Sequence, residues 1–337
     1  MVNAGVIGLG VGEKHIDGYL QHPCCKVKMI CDINKEKLIE VGSRYPECIQ
    51  TISPSEVIED PDIQIVSIAS YDDAHAKQVI AAINAGKHVF VEKPLCLTKT
   101  EFKSIVDSLK TRPEIKLSSN LILRKTPRFI ELKRRLKGGD LGSPYYLEGD
   151  YDYGRLHKIT TGWRGEIPNY SIVHGGAIHL IDLIGWLVER RVTEVFAYGN
   201  KIATEQTNFK GNILVAALLK FEGNIIAKVT SNYASATPHS HRLCVYGTDG
   251  TFQQSLAGTI YTNSRDPGSP AESINDSYPG ASKGDMLKSF INATLNQGNA
   301  DVLTQDVFDI MTVSLAIEES LITQKPVSVK YLKLPLY

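Results

Sequence analysis

The sequence lacks the features that mark several classes of protein. Its 337 residues carry 37 Lys and Arg against 37 Asp and Glu, so the formal net charge is zero. Proteins that bind nucleic acid or a membrane surface through charge normally have a basic excess, so we expect no nucleic-acid partner and no membrane partner. The chain also has no run of the ~18 apolar residues that a membrane-spanning helix requires.

Cysteine is scarce and follows no metal-binding pattern. The six cysteines form no CxxC pair and no Cys/His cluster with the spacing of a zinc site, so we expect no metal. The first residues, Met-Val-Asn-Ala-Gly-Val-Ile-Gly, have no basic segment followed by a long apolar stretch, and no signal peptide is visible. Free thiols suit a reducing compartment, and we predict a cytoplasmic protein.

The length of the chain predicts two domains, because a single hydrophobic core rarely serves more than ~250–300 residues. Over the first part of the chain, short apolar runs alternate with amphipathic stretches, which is the pattern of βαβ units around a parallel sheet. We therefore predict an α/β domain over residues 1–120. Its predicted strands are Ala4–Ile7, Val27–Cys31, Ile63–Ala69 and His88–Val91, and its predicted helices are one from about Glu13, Lys35–Arg44 and Ala74–Ala85.

The pattern changes over residues 121–337, where we predict an α+β domain. A helix over Pro127–Lys137 precedes several β-rich segments, and Phe221–Ile225 is typical of a hairpin turn. Because hairpins pair strands antiparallel, we expect an open sheet that is mixed or mostly antiparallel, with helices Gly175–Glu189 and Asp306–Thr323 on one face. The predicted strands are Tyr145–Tyr153, Thr193–Tyr198, Asn212–Phe221, Ile225–Tyr233 and Arg242–Tyr246.

A glycine loop, Gly8-Leu9-Gly10-Val11-Gly12, follows the first predicted strand. Glycines there allow a tight turn and let the backbone approach a pyrophosphate at the start of the next helix. The third glycine comes one residue earlier than in GxGxxG. Asp32 ends the second predicted strand, where a carboxylate accepts hydrogen bonds from the adenosine ribose and repels the 2′-phosphate of NADP. The motif thus predicts NAD in preference to NADP.

A longer motif, Ala-Gly-Lys-His-Val-Phe-Val-Glu-Lys-Pro-Leu, occupies residues 85–95. With it the chain resembles the Gfo/Idh/MocA family of sugar and cyclitol oxidoreductases, whose signature reads AGKHV…EKPL. The resemblance extends to Gln324-Lys325-Pro326-Val327, which is similar to the closing GKPV of that family. It implies an N-terminal Rossmann parallel sheet and a C-terminal α/β domain. It also implies that the open sheet forms an oligomer interface, giving a homodimer or homotetramer.

Lys93 comes directly after a predicted parallel strand, at the edge of the sheet where ligands bind. A lysine there can hydrogen-bond a substrate oxygen and stabilise alkoxide character, and the resemblance implies that Lys93 is catalytic. By similarity, further residues would line the cofactor site, although His75 is equally interpretable as a structural residue. The predicted cofactor-binding residues are Gly8, Gly10, Gly12, Asp32, Ser70, His75, Glu92 and Asn120.

Residues 174–183, His-Gly-Gly-Ala-Ile-His-Leu-Ile-Asp-Leu, resemble a second family signature, D-x-G-x-H-x-x-D-L. His179 and Asp182 are three residues apart, so on a helix they share a face. We predict that His179 exchanges a proton with a substrate hydroxyl and that Asp182 orients it. A hydrogen-bonded core histidine is the alternative. Many family members carry an Asp where this chain has Gly175, and His174 is a candidate to complete the catalytic set.

Positive charge is concentrated in residues 154–165 of this neutral chain. Trp163 offers a flat face to a sugar ring and Arg164 a fork to a carboxylate or phosphate, while a solvated basic loop is the alternative. Arg124 matches a family position near the substrate, and Tyr278 is a weaker candidate. The predicted substrate-binding residues are Lys93, Arg124, Trp163, Arg164 and His179, and the predicted partner is a small, sugar-like and anionic substrate.

The combined prediction is an NAD(H)-dependent oxidoreductase. It would move a hydride between the nicotinamide and a ring hydroxyl or ketone of a sugar, sugar acid or sugar nucleotide. One alternative is a dehydrogenase of inositol, another cyclitol or another polyol. A second alternative is a non-catalytic, NAD-binding regulatory protein of the same fold.

Overall fold

The computed structural model describes residues 1–332. In the first part of the chain, strands and helices alternate: β1 (Val2–Ile7), α1 (Gly12–Leu20), β2 (Cys25–Cys31), α2 (Lys35–Arg44), β3 (Ile49–Thr51), α3 (Pro54–Glu59), β4 (Ile65–Ile68), α4 (His75–Asn84), β5 (His88–Val91), α5 (Lys99–Lys110) and β6 (Leu117–Ser119). All neighbouring strands are parallel, in the order β3-β2-β1-β4-β5-β6. This is the strand order of a doubly wound Rossmann sheet, so the predicted parallel sheet is confirmed.

The central strands are buried on both faces, as strands of a parallel sheet are. Every residue of β4 is buried, and Val89, Phe90 and Val91 of β5 are completely so. Residues with known capping roles mark the ends of two of these helices. Gly86 has a φ of 75° directly after α4, and Thr98 and Glu101 form a capping box at the start of α5.

The remaining elements are mostly strands: α6 (Pro127–Gly138), β7 (Pro144–Asp152), α7 (His157–Thr160), α8 (Ile178–Val188), β8 (Val192–Asn200), β9 (Leu214–Phe221), β10 (Ile226–Asn232), β11 (Ser240–Gly247), β12 (Thr251–Ser255), β13 (Gly258–Thr262), β14 (Glu272–Ser273), α9 (Leu287–Thr294), α10 (Thr304–Thr323) and β15 (Val327–Ser328). Among the described residues the sheet runs β14-β13-β12-β11-β7-β10-β9-β8-β15. Only β7 and β10 are parallel neighbours in it. The predicted open, mostly antiparallel sheet is therefore confirmed.

One face of this second sheet is covered by α8. Gly149 of β7 lies directly beneath the helix, because a Cβ atom there would stand 3.2 Å from both Leu180 and Ile184. Between β9 and β10 the chain turns where the hairpin was predicted. The amide of Phe221 donates to the carbonyl of Ile225 at 2.8 Å, and Gly223 between them has a φ of 76°.

The chain divides into two compact units. The first contains Met1–Ile122 and Ser282–Met311, and the second contains Leu123–Ala281 and Thr312–Tyr331. The predicted domain boundary fell two residues before Ile122, but it assigned residues 282–311 to the second domain. Residues 333–337 of that predicted domain lie outside the described residues.

Hydrogen bonds at the edge strand β6 explain why residues 282–311 join the first unit. Ser118 Oγ donates to the carbonyl of Val302 at 2.8 Å, and Thr304 Oγ1 donates to the carbonyl of Leu117 at 2.8 Å. Phe290 of α9 also packs on Phe90 of β5, with ring centroids 5.6 Å apart. These contacts complete the core of the Rossmann sheet with a segment that follows the whole second sheet in sequence.

No helix in the described part of the chain is both long and apolar enough to cross a membrane. All six cysteines are free thiols, and four of them are buried.

Candidate active site

The loop between β1 and α1 is shaped by its three glycines. Gly8 has a φ of 87°, and a Cβ atom there would overlap the backbone of Ala69 at the end of β4. At Gly12 a Cβ atom would lie 2.9 Å from Val6, so this glycine lets α1 approach β1 closely. Nothing lies within 4 Å of the Cβ position of Gly10, which leaves the loop open. In GxGxxG the third glycine allows close packing of the helix on the strand. Gly12 has the same role here, although it comes one residue earlier in the sequence.

Asp32 follows β2 directly and is fixed beside the glycine loop. Its Oδ2 accepts from the amide of Leu9 at 2.7 Å, and its Oδ1 accepts from the amide of Asn34 at 2.8 Å. An acidic residue at this place in a Rossmann fold binds the adenosine ribose. The open loop at Gly10 and the anchored carboxylate together fit a dinucleotide whose ribose carries no 2′-phosphate.

Ser70 and His75 lie after β4, and their hydrogen bonds are made within the protein. Ser70 Oγ donates to Gln78 Oε1 at 2.7 Å. His75 has no exposed surface, and its Nδ1 and Nε2 lie 2.6 Å from the Pro94 carbonyl and 3.1 Å from the Ser70 carbonyl. His75 therefore ties the loop after β4 to the turn that contains Lys93. These contacts are of the kind that the structural alternative expects, and a direct contact of His75 with a cofactor stays a prediction.

A buried hydrogen-bond network lies next to Lys93. Ser67 of β4 donates to His15 Nδ1 at 2.8 Å, and His15 Nε2 lies 3.2 Å from Glu92 Oε1, an arrangement that a ring protonated on Nε2 satisfies. Asn120 donates through Nδ2 to Glu92 Oε1 at 2.7 Å and to the carbonyl of Lys283 at 3.0 Å. Among the described residues, the buried Oδ1 of Asn120 has no hydrogen-bond partner.

The charge of Glu92 is stabilised by this network. Burial alone would raise the pKa of Glu92. The hydrogen bond from His15 and the positive charges of Lys283 and Lys93 outweigh burial and hold that pKa well below its ordinary value. An ionised carboxylate thus lies beside Lys93 at neutral pH. The structure brings Lys93 and Glu92 to the same edge of the sheet as the glycine loop, since β1, β4 and β5 are parallel neighbours.

In the second unit, Arg124 and Asp182 form a buried ion pair. The guanidinium of Arg124 donates through Nε and Nη2 to both carboxylate oxygens of Asp182, at distances from 2.6 to 3.1 Å. Their side chains are only 8% and 1% exposed. Arg124 and Asp182 are thus ion-pair partners. The predicted role of Asp182 in orienting His179 and that of Arg124 in binding substrate stay predictions.

The chain before α8 forms a π-helical turn, Val173–Ala177, where the sequence predicted the α-helix to start at Gly175. Ser171 fixes the start of this turn, because its Oγ accepts from the amide of Val173 at 3.0 Å and donates to Glu318. Burial raises the pKa of Glu318. Single π-helical turns of this kind are frequent at functional sites.

His174, the candidate to complete the catalytic set, is completely buried in that turn. Burial lowers its pKa to about 4, so its ring is neutral at physiological pH. Neither ring nitrogen has a hydrogen-bond partner among the described residues.

His179 belongs to a cluster of aromatic and histidine rings that the sequence analysis missed. The ring of Tyr151 stacks on that of His179, with ring centroids 6.2 Å apart, and on that of Tyr233, with centroids 5.8 Å apart. His239 and His241 face Tyr151 at 5.1 and 5.2 Å. A signal was present in the sequence, because both Tyr151/Tyr153 and His239/His241 are spaced by two, the period that puts side chains on one face of a strand.

The basic loop is ordered by contacts of its own. The guanidinium of Arg164 lies 4.3 Å above the ring of Trp163, and that of Arg155 lies 5.5 Å from the ring of Tyr153. Gly165 lets the loop fold tightly, since a Cβ atom there would overlap the carbonyl of Ile159. Arg155 of the basic loop thus lies near Tyr153, one of the rings in the cluster around His179. Tyr278 joins the same cluster, because its hydroxyl lies 2.5 Å from His241 Nδ1.

No group of three or more His, Cys, Asp or Glu side chains within the described residues is arranged to hold a metal ion.

Family models match most of the chain. The oxidoreductase family with an NAD-binding Rossmann fold, GFO/IDH/MocA, matches residues 2–120, and the GFO/IDH/MocA C-terminal domain matches residues 129–253. The chain is 27% identical over 254 residues to a myo-inositol 2-dehydrogenase of Thermotoga maritima, which covers 73% of each chain. It is 27% identical over 259 residues to a scyllo-inositol 2-dehydrogenase (NAD(+)) of Bacillus subtilis, covering 74% of this chain and 72% of that one.

Solved structures share the fold. A myo-inositol 2-dehydrogenase from Lactobacillus plantarum superposes with a TM-score of 0.83 at 21% identity, over 98% of this chain and 99% of that chain. The likeness at this identity concerns the fold.

The ion pair of Arg124 and Asp182 can be tested by the variant Asp182→Asn. The substitution keeps the shape of the side chain but leaves the guanidinium buried without its counter-ion, and we expect a loss of about 3–5 kcal/mol of stability. Urea unfolding followed by circular dichroism measures it. The control is Asp107→Asn, which breaks an exposed pair with Lys110 and should change little. Equal shifts in the two variants would contradict a buried pair.

Proposed function

Because the chain belongs to the GFO/IDH/MocA oxidoreductase family, we propose that it is an NAD-dependent dehydrogenase of a ring hydroxyl in a sugar or cyclitol. The reverse reaction reduces the corresponding ketone. The observation that carries the proposal is the network at Glu92. It connects the turn of Lys93 to His15 on α1, the helix that the glycine loop opens. The turn that carries Lys93 and the helix after the glycine loop are thereby connected through a buried carboxylate.

The first unit supplies the cofactor site in this proposal. Gly10 gives the pyrophosphate room beside the start of α1, and Asp32 binds the ribose hydroxyls. NAD, when bound, supplies the carbon that accepts the hydride from the substrate. Asn120 offers a hydrogen-bond acceptor to a ligand, because its Oδ1 has no partner among residues 1–332. In this proposal Glu92 and His75 have an indirect role: they fix the position of the turn that carries Lys93.

Lys93 and His179 are the proposed catalytic residues. Lys93 donates a hydrogen bond to the substrate oxygen and stabilises the negative charge that develops on it during oxidation. His179 accepts the proton of that hydroxyl as a general base and returns it in the reverse direction. Asp182 has a positioning role in this proposal. Its ion pair with Arg124 anchors α8, the helix that carries His179.

We extend the proposal to an anionic substrate such as a sugar acid, sugar phosphate or sugar nucleotide. The support is the charge of the basic loop, where Arg155 lies against the tyrosine cluster and Arg164 lies over Trp163. A guanidinium binds a carboxylate or phosphate through paired hydrogen bonds, and an aromatic face packs on a sugar ring.

The charge of the substrate can be tested with a panel of neutral cyclitols, neutral sugars, sugar acids and sugar nucleotides. We expect kcat/KM with NAD to be highest for an anionic compound and to fall as salt is added, because the attraction between exposed charges is screened. A neutral cyclitol with the highest kcat/KM and no salt dependence would contradict the anionic substrate while leaving the dehydrogenase intact. Binding of NAD without turnover of any compound would favour the regulatory alternative.

Lys93→Met tests the proposed mechanism with the best substrate of that panel. Removal of the ammonium group takes away the hydrogen bond to the developing alkoxide, and we expect kcat to fall by about 10²–10⁴-fold. The measurement is steady-state kinetics together with NAD affinity, which should change much less. Lys103→Met, an exposed change on α5 of the same unit, is the control and should leave kcat as it is. An active Lys93→Met enzyme would disprove the role of this lysine.

We further propose that the second unit assembles the protein into a homodimer or homotetramer. On the sheet face that points away from α8, Leu218 pairs across the strands with Phe196 and Lys228, and Leu218 and Tyr198 are more than half exposed. Exposed apolar groups on one face of a sheet are typical of an interface between subunits. The first unit binds the cofactor in this proposal and contributes Lys93, and the second unit contributes the other proposed substrate-binding residues.

Leu218→Asp tests the interface. A charge in the middle of an apolar contact costs several kcal/mol, so we expect the variant to be a monomer when the parent protein is an oligomer. Light scattering after gel filtration gives both masses. Leu256→Asp introduces the same charge at an equally exposed turn between β12 and β13 and should leave the mass unchanged. Identical masses for the parent and Leu218→Asp proteins would contradict this interface.

The cellular compartment is the last part of the proposal. Six free cysteines suit a reducing environment, and we propose that the protein is cytoplasmic. Fractionation of cells that express the full chain checks it, and recovery outside the cytoplasm would contradict it.

A further inference from the structure

Two tyrosine hydroxyls occupy the place where a side chain at position 175 would lie. Gly175 is four residues before His179 and lies in the π-helical turn that leads into α8. A Cβ atom on Gly175 would overlap the hydroxyl oxygen of Tyr170 and stand 2.7 Å from that of Tyr233. The hydroxyls of Tyr170 and Tyr233 therefore occupy the space that a side chain at position 175 would enter, and a larger residue there would require these two side chains to move.

The two hydroxyls form a buried pair. Tyr170 Oη and Tyr233 Oη are 3.4 Å apart, and the residues are 5% and 1% exposed. Burial, together with the neighbouring Tyr170 and Tyr151, raises the pKa of Tyr233 well above its ordinary value, so its hydroxyl is neutral throughout the physiological range. The pair brings hydrogen-bonding capacity to the turn without bringing charge.

The same tyrosines shape the turn that leads to His179. A Cβ atom on Gly176 would lie 2.6 Å from the ring of Tyr151 and 2.9 Å from the ring of Tyr233. Tyr151 in turn stacks on His179 at an interplanar angle of 20°. The absence of side chains at Gly175 and Gly176 thus lets three tyrosines approach the π-helical turn directly.

Other titratable groups face His179 from each neighbouring element. Tyr151 comes from β7, and burial raises its pKa far above neutrality. The ring of His241, from β11, lies at 6.0 Å. Asp182 lies on α8 itself, and its charge is balanced by Arg124. Of these three groups, Asp182 is the acid, and it is ion-paired with Arg124.

We propose that Tyr170 and Tyr233 are positioning residues for His179: their hydroxyl pair takes the volume of a side chain at position 175 and supplies neutral hydrogen-bonding groups in place of a carboxylate. The inference rests on the proposed function, in which His179 exchanges a proton with the substrate hydroxyl. The pair fixes the π-helical turn and so the direction in which His179 leaves α8. In this role the pair affects kcat more than KM.

The variants Tyr170→Phe, Tyr233→Phe and the double variant test this role. Each removes one or both hydroxyl oxygens and retains the rings. We expect about a tenfold lower kcat in each single variant, as the loss of one buried hydrogen bond implies, with KM changed less than about threefold. Because the hydroxyls act as a pair, the double variant should be little slower than either single one. The pH at which kcat falls should also shift, which a purely structural tyrosine would not cause.

Tyr261→Phe is the matched control. It too removes a buried phenol of the second unit, one that donates to the carbonyl of Asp140 at 2.6 Å, far from the turn in sequence. Its kcat and pH profile should equal those of the parent enzyme. Phe variants of Tyr170 and Tyr233 that keep the parent kcat and pH profile would overturn the proposal. A raised KM with unchanged kcat would also overturn it, because the hydroxyls would then be substrate ligands.

A second measurement does not depend on activity. Gly175→Asp should lower the melting temperature strongly in the parent protein, where the hydroxyl oxygens block the new side chain. It should lower it much less in the double Phe background, where the nearest remaining atom, Cζ of residue 170, is 3.0 Å away. Equal losses in both backgrounds would show that the hydroxyls do not fill this volume. A parent enzyme inactive on every polyol would contradict the proposed function, and the melting temperatures would still decide the packing.

Discussion

The carboxylate of Glu92 is buried at the carboxyl ends of the parallel strands and receives hydrogen bonds from two sides. One donor is His15 on α1, and the other is Asn120 after β6. Taking an ionised carboxylate out of water costs several kcal/mol unless hydrogen bonds and cations compensate. Because the donors come from different elements, the compensation is complete only when α1, the end of β5 and the segment after β6 are in register. The position of Lys93 follows from that requirement.

A comparable requirement organises the second unit. Helix α8 is apolar apart from His179 and Asp182, and the buried charge of Asp182 needs the guanidinium of Arg124. A second carboxylate one turn before His179 would place two like charges in one buried region, which raises the cost of ionising either. Neutral phenols at Gly175 avoid that repulsion. The glycine that looked like a missing acid in the sequence is therefore the residue that admits the tyrosine pair.

Sequence patterns over short segments predicted those features of the fold that depend on interactions between residues close in sequence. Apolar runs predicted β1, β2, β4 and β5, and the hairpin at Gly223 followed from turn chemistry. Two features of the structure come from contacts between residues far apart in the sequence. The three-residue spacing predicts that Asp182 orients His179, and the structure adds a bidentate ion pair of Asp182 with Arg124, 58 residues earlier. Residues 282–311 join the first unit through Ser118 and Val302, a contact with no local signal in the sequence. The sequence analysis did not predict helix α5, although the residues of its capping box, Thr98 and Glu101, are visible in the sequence.

The ring cluster around His179 is the clearest example of a feature that local sequence patterns do not predict. The alternation of Tyr151 and Tyr153 predicts that they share a face, and that of His239 and His241 predicts the same, but neither pattern says that the two faces meet. They meet because β7 and β11 are antiparallel neighbours in which His241 stands opposite Tyr151. A shift of one residue in this register would turn one pair to the other side of the sheet and leave His179 without it. The surroundings of the proposed general base are thus set by strand pairing across about ninety residues of sequence.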